Sequence, residues 1–465
     1  MEFDLAVLGG GPAGYTAAIR AAQLGARVAC IEKESELGGT CVRVGCIPTK
    51  AWVQTAHALH AAREIDPKLG VIVTEPRLDF AQANEWKAFV VKQMTGGVAS
   101  LFKANGVTAL EGVGMFENAN TIVFDKGDMA VTFKQGIIAT GSYPIVPPIP
   151  GIDSPRCVDS TGLLAQTEVP KRLVVLGGGI IGCEFASIFE RFGTEVTIVE
   201  MLDSLIPQED ADAASELRKA FARRGIVVHL GKQCTQVDDN GSELVVHFGE
   251  GETVTCDLML VAVGRAPLVE GIGLEAAGVE FDEKAGIATD EKRRTSVPHL
   301  YAAGDVAGYW QLAHTSFREG EVAAENATGH EMAIGDPAVP RPIYTDPEIA
   351  GVGLTEAEAR EQHGENVAVG RFPWVANARA VMSGEASGWV KTIHETTYGE
   401  LLGVVIVGPH STDLIEAAVV ALDAESTIET IADGMAAHPT FGEGLKIAGQ
   451  VALERAIDLP PRRRA

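Results

Sequence analysis

The stretch Phe3-Asp4-Leu5-Ala6-Val7-Leu8-Gly9-Gly10-Gly11-Pro12-Ala13-Gly14 decides how the rest of the chain is read. An apolar run of strand length enters a glycine cluster, and an apolar helical pattern follows to Leu24. Gly25 marks a helix stop, and Arg27–Ile31 reads as a second strand ending on Glu32. A dinucleotide fingerprint requires this order. Gly9 allows the tight turn, Gly11 lets backbone approach a pyrophosphate, and Gly14 permits close helix–strand packing. The helix N-terminus offers amides and a positive dipole end to the phosphates. Glu32 stands where a carboxylate takes ribose hydroxyls.

The unit then repeats. Arg172–Leu176 is a strand, Gly177-Gly178-Gly179-Ile180-Ile181-Gly182 the turn, and Cys183–Phe192 the helix; Glu195–Glu200 is the next strand. The interval from Gly14 to Glu32 recurs between Gly182 and Glu200. Two fingerprints imply two dinucleotides, and electron transfer between a flavin and a pyridine nucleotide is a reason to hold both. A duplicate kept only as scaffold is the bland alternative. Glu200 accepts from a free ribose 2′-hydroxyl and repels a 2′-phosphate, and Met201 and Leu202 bring no cation, so NAD is favoured over NADP.

Just beyond the first unit lies Gly38-Gly39-Thr40-Cys41-Val42-Arg43-Val44-Gly45-Cys46-Ile47-Pro48-Thr49-Lys50. Five residues of ideal α-helix rise about 7.5 Å, whereas a disulfide wants its Cα atoms roughly 4.4–6.8 Å apart. A bonded pair therefore needs a tightened or irregular turn, which Gly45 eases. Two unrelated buried thiols are the competing reading. The seven cysteines do not form a secreted disulfide framework, and no second nearby pair completes a zinc site, so no metal is expected.

At 465 residues the chain has room for about three domains. Composition, 46% hydrophobic and 22% charged, is that of a globular α/β protein. The net charge of −25 argues against nucleic acid or anionic lipid as a main partner. It suits a basic protein partner, or solubility alone. Apolar runs such as Leu258–Val263 fall far short of a membrane span, and the chain opens straight into a strand, so a cytoplasmic protein is expected.

Trp86–Phe102 reads as a long helix and Thr121–Phe133 as short antiparallel strands. Ile137–Ser142 reads as a buried strand entering a turn, and Pro144–Gly151 as a domain crossing. Leu258–Val263 is a second such strand, with Gly264-Arg265-Ala266-Pro267 returning the chain to the first domain. His299–Asp305 is a strand ending in an exposed acid suited to a ligand or a turn. Past the Pro337–Pro342 boundary, Gly388–Ile393 and Leu401–Val407 alternate like antiparallel strands, with helices at Leu414–Leu422 and Gly444–Ala456. There Pro439 biases His438 away from helix, and Glu443 is placed to hold its ring. A surface histidine is the alternative.

Gly9–Gly14, Gly38–Lys50, Ala139–Ser142, Gly177–Glu184, Val263–Arg265, Ala303–Val306, Tyr344–Thr355 and His438–Glu443 together resemble the flavin-dependent pyridine nucleotide–disulfide oxidoreductases, nearly end to end. Tyr344–Glu348, Phe372-Pro373-Trp374 and Ile457–Pro460 are most similar to the lipoamide branch. The resemblance implies an α/β fold of two Rossmann-like domains with a C-terminal α+β dimerisation domain. Residues 1–147 would begin the FAD domain, 148–266 bind NAD, 267–340 return to the FAD and central part, and 341–465 form the interface of a homodimer. FAD would be held by Gly9, Gly11, Gly14, Glu32, Lys50, Thr140, Gly141, Ser142, Asp305 and Ala313. NAD would be held by Gly177, Gly179, Gly182, Glu200 and Gly264. Cys41 and Cys46 would form the redox disulfide, Cys46 against the flavin and Cys41 toward substrate. Lys50 and Glu184 would pair near the flavin ring. His438, oriented by Glu443 and entering from the partner subunit, would be the acid–base catalyst. Dihydrolipoyl groups on a lipoyl protein or a 2-oxo acid dehydrogenase complex core would be oxidised to lipoyl disulfide with NAD⁺.

Some positions depart from the branch. Arg43 stands where Asn is usual and either lowers a thiol pKa or projects to solvent. Ala436-Ala437 precede His438 where another histidine is often found, and Phe441-Gly442 replace Leu and a small polar residue. Rival enzymes are NAD(P)H-dependent reductases of glutathione- or mycothione-type disulfides. Reductases that need a C-terminal redox pair find none in Arg462–Ala465. A different class of reading makes the chain mainly a docking subunit of a 2-oxo acid dehydrogenase complex.

Overall fold

The structure is a computed structural model that describes residues 1–65, 67–124, 127–308, 310–336 and 338–460. The C-terminal Arg462–Ala465 and Pro337, both used above, lie outside the described residues. No described helix is long and apolar enough to cross a membrane.

The first fingerprint builds a sheet from β1 (Glu2–Leu8), β2 (Val28–Glu32), β3 (Thr108–Glu111), β4 (Met115–Asn118), β5 (Thr121–Phe124) and β6 (Met129–Ile138). Its order is β3-β2-β1-β6-β5-β4, with Leu300–Ala302 also pairing β6. The strand expected at Ile137–Ser142 is not separate. β6 runs antiparallel to β5 at its start and parallel to β1 at its end, so one strand joins the meander to the doubly wound sheet. β1 is buried along nearly its whole length because both faces are covered.

Helix α1 (Pro12–Gln23) buries a stripe of small residues, Ala13, Gly14, Ala17, Ala18 and Ala21. That stripe lets the helix Ala313–Ala327 approach closely: a Cβ on Gly320 would stand 2.4 Å from the Ala13 carbonyl oxygen. This part also holds α2 (Gly39–Val44), α3 (Cys46–Arg63) and α4 (Phe80–Asn105). α4 starts before the expected Trp86 because Asp79 caps it, accepting from the Gln82 amide at 3.0 Å.

β7 (Ser142–Pro144) pairs antiparallel with Arg265–Pro267, so the outgoing and returning connections form one ribbon. The second fingerprint builds a parallel sheet from β8 (Cys157–Val158), β9 (Arg172–Leu176), β10 (Glu195–Val199), β11 (Val227–His229) and Leu258–Val261, in the order β11-β10-β9-(258–261)-β8. A three-stranded antiparallel sheet, Cys234–Asp239, Leu244–Phe248 and Glu252–Cys256, lies off it.

The C-terminal part is a five-stranded antiparallel sheet, including Trp389–Glu395 and Leu401–Val407. Those two strands do not alternate between core and solvent as expected; every residue of both is buried. Lys391 is the cost of covering both faces, and three carboxylates offset it: Asp210 at 2.7 Å, Asp212 at 2.8 Å and Glu356 at 3.1 Å. The terminal helix is Glu443–Ala452, shorter than expected at its C-terminus.

Candidate active site

Both glycine turns open onto one cleft of about 1910 Å³. Gly9 adopts φ +105°, and a Cβ there would stand 2.2 Å from the Ala139 carbonyl oxygen; Gly177 adopts φ +109° and would meet Ala262 at 2.3 Å. Gly14 and Gly182 pack against Gly9 and Gly177 in turn, at 1.8 and 2.0 Å from a Cβ. The middle glycines behave differently. The nearest atom to a Cβ on Gly11 is 3.8 Å away, and Gly179 has none within 4 Å. Their free space faces the cleft, at the N-termini of two helices, and could take a pyrophosphate at each turn. The residues present thus fit two dinucleotides.

Glu32 and Glu200 both line the cleft yet are buried, and each grips its own turn. Glu32 accepts from the Gly10 amide at 2.7 Å and the Glu34 amide at 3.1 Å; Glu200 accepts from Gly178 at 2.5 Å and Leu202 at 2.7 Å. The sequence suggested only a ribose role for these acids. Holding the turn is a second one, and remaining lone pairs stay available.

Cys41 and Cys46 sit on either side of a helix break. α2 ends at Val44, Gly45 takes φ −139°, ψ −112°, and α3 begins at Cys46. A Cβ on Gly45 would lie 2.8 Å from the Thr40 carbonyl oxygen and 3.3 Å from the Cys41 Cα. The absence of a side chain is what lets the two cysteines close up. All seven cysteines are free thiols here, and the Cys41 thiol hydrogen bonds Cys46. That bond, with the Lys50 charge and against the cost of burial, lowers Cys46 to about 7. Donating the same bond, then burial, pushes Cys41 up. A pH titration of thiolate absorbance in the reduced protein is expected to show Cys46 as thiol below about 7 and thiolate above it. Cys41→Ala removes the main cause and moves that midpoint upward; Cys46→Ser abolishes it.

Lys50, one helical turn into α3, donates to Glu184 at 2.8 and 3.0 Å. Burial opposes its charge, but Glu184 carries the net shift upward. Glu184, itself buried, also accepts from the Tyr344 amide at 2.9 Å, and the Lys50 ammonium lies 4.5 Å from the centre of the Tyr344 ring. Tyr344 stood in a motif that carried the resemblance, but nothing local in the sequence pointed to its contact with Lys50 and Glu184.

Asp305 is half-buried at the start of a 3₁₀ turn, not exposed. It accepts from the Ser142 hydroxyl at 2.5 Å, and Ser142 in turn accepts from Arg265 Nε at 2.8 Å. Behind it, buried Glu319 accepts from the Gly304 amide at 2.7 Å. Thr140 spends its hydroxyl on the Leu268 carbonyl at 2.8 Å. Thr140, Gly141, Ala313 and Gly264 all line the cleft. The contacts of Arg265 and Glu319 were not legible in the sequence because their partners are more than a hundred residues away or sit on another element.

His438 and Glu443 are elsewhere. Nδ1 of His438 lies 2.8 Å from Glu443 Oε1, and the other carboxylate oxygen accepts from the Thr440 amide at 2.8 Å. Burial works against the Glu443 charge, but these two contacts hold it below the usual carboxylate range. The His438 side chain is 74% exposed and is not part of the cleft wall. Within one chain, the thiols and the imidazole stand apart.

Residues 3–320 match the family described as pyridine nucleotide-disulphide oxidoreductase, and residues 339–448 its dimerisation domain. The chain is 40% identical over 465 residues to a dihydrolipoyl dehydrogenase of Geobacillus stearothermophilus, covering 99% of this chain and 98% of that protein. It is 41% identical to a dihydrolipoyl dehydrogenase of Thermus scotoductus, covering 98% and 99%. Among solved structures, the Cu(II) complex of the HOCl-induced flavoprotein disulfide reductase RclA from Escherichia coli superposes with a TM-score of 0.88 at 29% identity, covering 97% of this chain and 99% of that one.

Proposed function

Because this chain belongs to the pyridine nucleotide–disulphide oxidoreductase family, we propose that it oxidises dihydrolipoyl groups to lipoyl disulfide, using FAD and NAD⁺. One observation carries the reading: a thiol pair straddling the Gly45 break, backed by Lys50 and Glu184, in the cleft that both glycine turns share. FAD belongs to the half made of residues 1–147 and 267–340, NAD to residues 148–266, and residues 341–465 pair two copies in a homodimer.

In this reading His438 of one copy serves the thiols of the other. Its Nδ1 is held by Glu443, which leaves Nε2 to take a proton from a substrate thiol that is a poor nucleophile until ionised. The substrate thiolate attacks Cys41 Sγ of the oxidised pair, the Cys41–Cys46 bond breaks, and Cys46 leaves as thiolate. A leaving thiol of low pKa speeds that step, and Cys46 is the one lowered. The second substrate thiol then displaces Cys41, closing the lipoyl disulfide and leaving a reduced pair in the enzyme. Cys41, pushed up, stays protonated unless a base acts on it. FAD, when bound, supplies the acceptor for those two electrons and NAD⁺ the terminal one.

Glu200 supports NAD: its buried carboxylate lies at the turn where a 2′-phosphate would sit, and Lys232 in the same wall is paired with Glu252 at 2.9 Å. The test is turnover of free dihydrolipoamide by the flavin-loaded protein with NAD⁺ and, separately, NADP⁺. Fast reduction of NAD⁺ and little of NADP⁺ is expected. A flavoprotein that NADH reduces but dihydrolipoamide does not would remove the lipoyl assignment.

A further inference from the structure

Arg43 takes neither course open to it from the sequence. The shifts of Cys41 and Cys46 trace to each other, burial, Lys50 and Glu184, and Arg43 is not among their causes. Nor does it reach into solvent: its side chain is 22% exposed, and Nη2 donates to Glu34 at 3.0 Å. Its Nε is buried with no partner in the protein, a costly state for a guanidinium N–H.

Its place in the fold says what is missing. Arg43 lies four residues after Gly39 on α2, hence on the same helix face. That face abuts the first glycine turn, since a Cβ on Gly39 would stand 2.5 Å from the Gly11 Cα. Helical side chains lean toward the helix N-terminus, so Arg43 leans toward this turn. Gly11, Glu34, Gly39 and Arg43 all line the cleft there. Glu32, Lys33 and Glu34 all border the same wall, which leaves it net negative, and a further cation would offset that charge for an entering diphosphate.

We propose that Arg43 binds the diphosphate of FAD, with Glu34 holding the guanidinium in place for it. The inference rests on the flavin reading above. A planar guanidinium suits phosphate oxygens, and the shorter, neutral asparagine usual at this position in the lipoamide branch brings no charge to them.

The test is FAD release from the full-length holoprotein, followed by the fluorescence of freed flavin, in native, Arg43→Lys and Arg43→Asn forms. Release about tenfold faster or more is expected for Arg43→Asn, with partial restoration by Arg43→Lys. Melting temperatures separate binding from scaffolding: the Asn variant should match the native protein without flavin and fall below it only with flavin bound. Equal release from all three forms, or an equal loss of melting temperature with and without flavin, would overturn the role of Arg43. A native protein that neither contains nor takes up flavin would overturn the cofactor reading itself, and this inference with it.

Discussion

Cys41→Ser is expected to lower turnover of dihydrolipoamide with NAD⁺ by about 10³-fold or more, the loss seen when a covalent nucleophile or its partner is removed. Serine keeps the size and a hydrogen-bond donor, so the α2–Gly45–α3 geometry and the contact to Cys46 survive. It cannot form the mixed disulfide through which the two electrons would enter in the proposed reaction. Flavin content should be unchanged, because Cys41 is no part of the glycine cradle at Gly9, Gly11 and Gly14. Reduction of the bound flavin by NADH should also persist, since that exchange does not need the outer thiol. Both assays therefore belong on the same sample. A variant that still turns over dihydrolipoamide would sink the thiol relay, and one that loses its flavin would show the substitution reaching beyond it.

The parts of this site legible in the sequence are those whose chemistry is local. A glycine turn between strand and helix needs three glycines at fixed spacing, and backbone contact with Ala139 and Ala262 shows the physical reason at Gly9 and Gly177. The Cys41–Cys46 segment is local in the same sense, its irregular turn requiring Gly45. What stayed hidden is what folding brings from afar. Glu319 is an unremarked glutamate in a helix until its carboxylate is seen on the Gly304 amide. Arg265 became relevant only when the ribbon of β7 and Arg265–Pro267 set it on Ser142, and through it on Asp305. Lys391 broke the expected strand alternation because its three carboxylates come from segments far away in the chain. Arg43 is an intermediate case: its departure from the usual residue was visible, but its direction depended on Glu34 and on the packing of Gly39 against Gly11.

His438→Gln is expected to slow dihydrolipoamide oxidation by about 10²–10⁴-fold, the usual range for losing a general base. Glutamine can still hydrogen bond but cannot carry the proton. Glu443→Gln should cost less, because the imidazole remains while the contact that orients it weakens. Which thiols His438 would serve is a separate question. It is exposed and lies outside the cleft of its own chain, on a part that matches a dimerisation domain. A mixed dimer of Cys41→Ser and His438→Gln chains decides this. If the imidazole acts across the interface, one site of each mixed dimer joins intact thiols from the His438→Gln chain to an intact His438 from the other. Random exchange makes half of all dimers mixed, each with one working site of two, so two inactive proteins should together regain about one quarter of native activity. If the imidazole acted within its own chain, every site in the mixture would lack either a thiol or a base. No activity would then return, and the C-terminal part would have to fold back onto its own cleft in a way the exposed His438–Glu443 pair does not show.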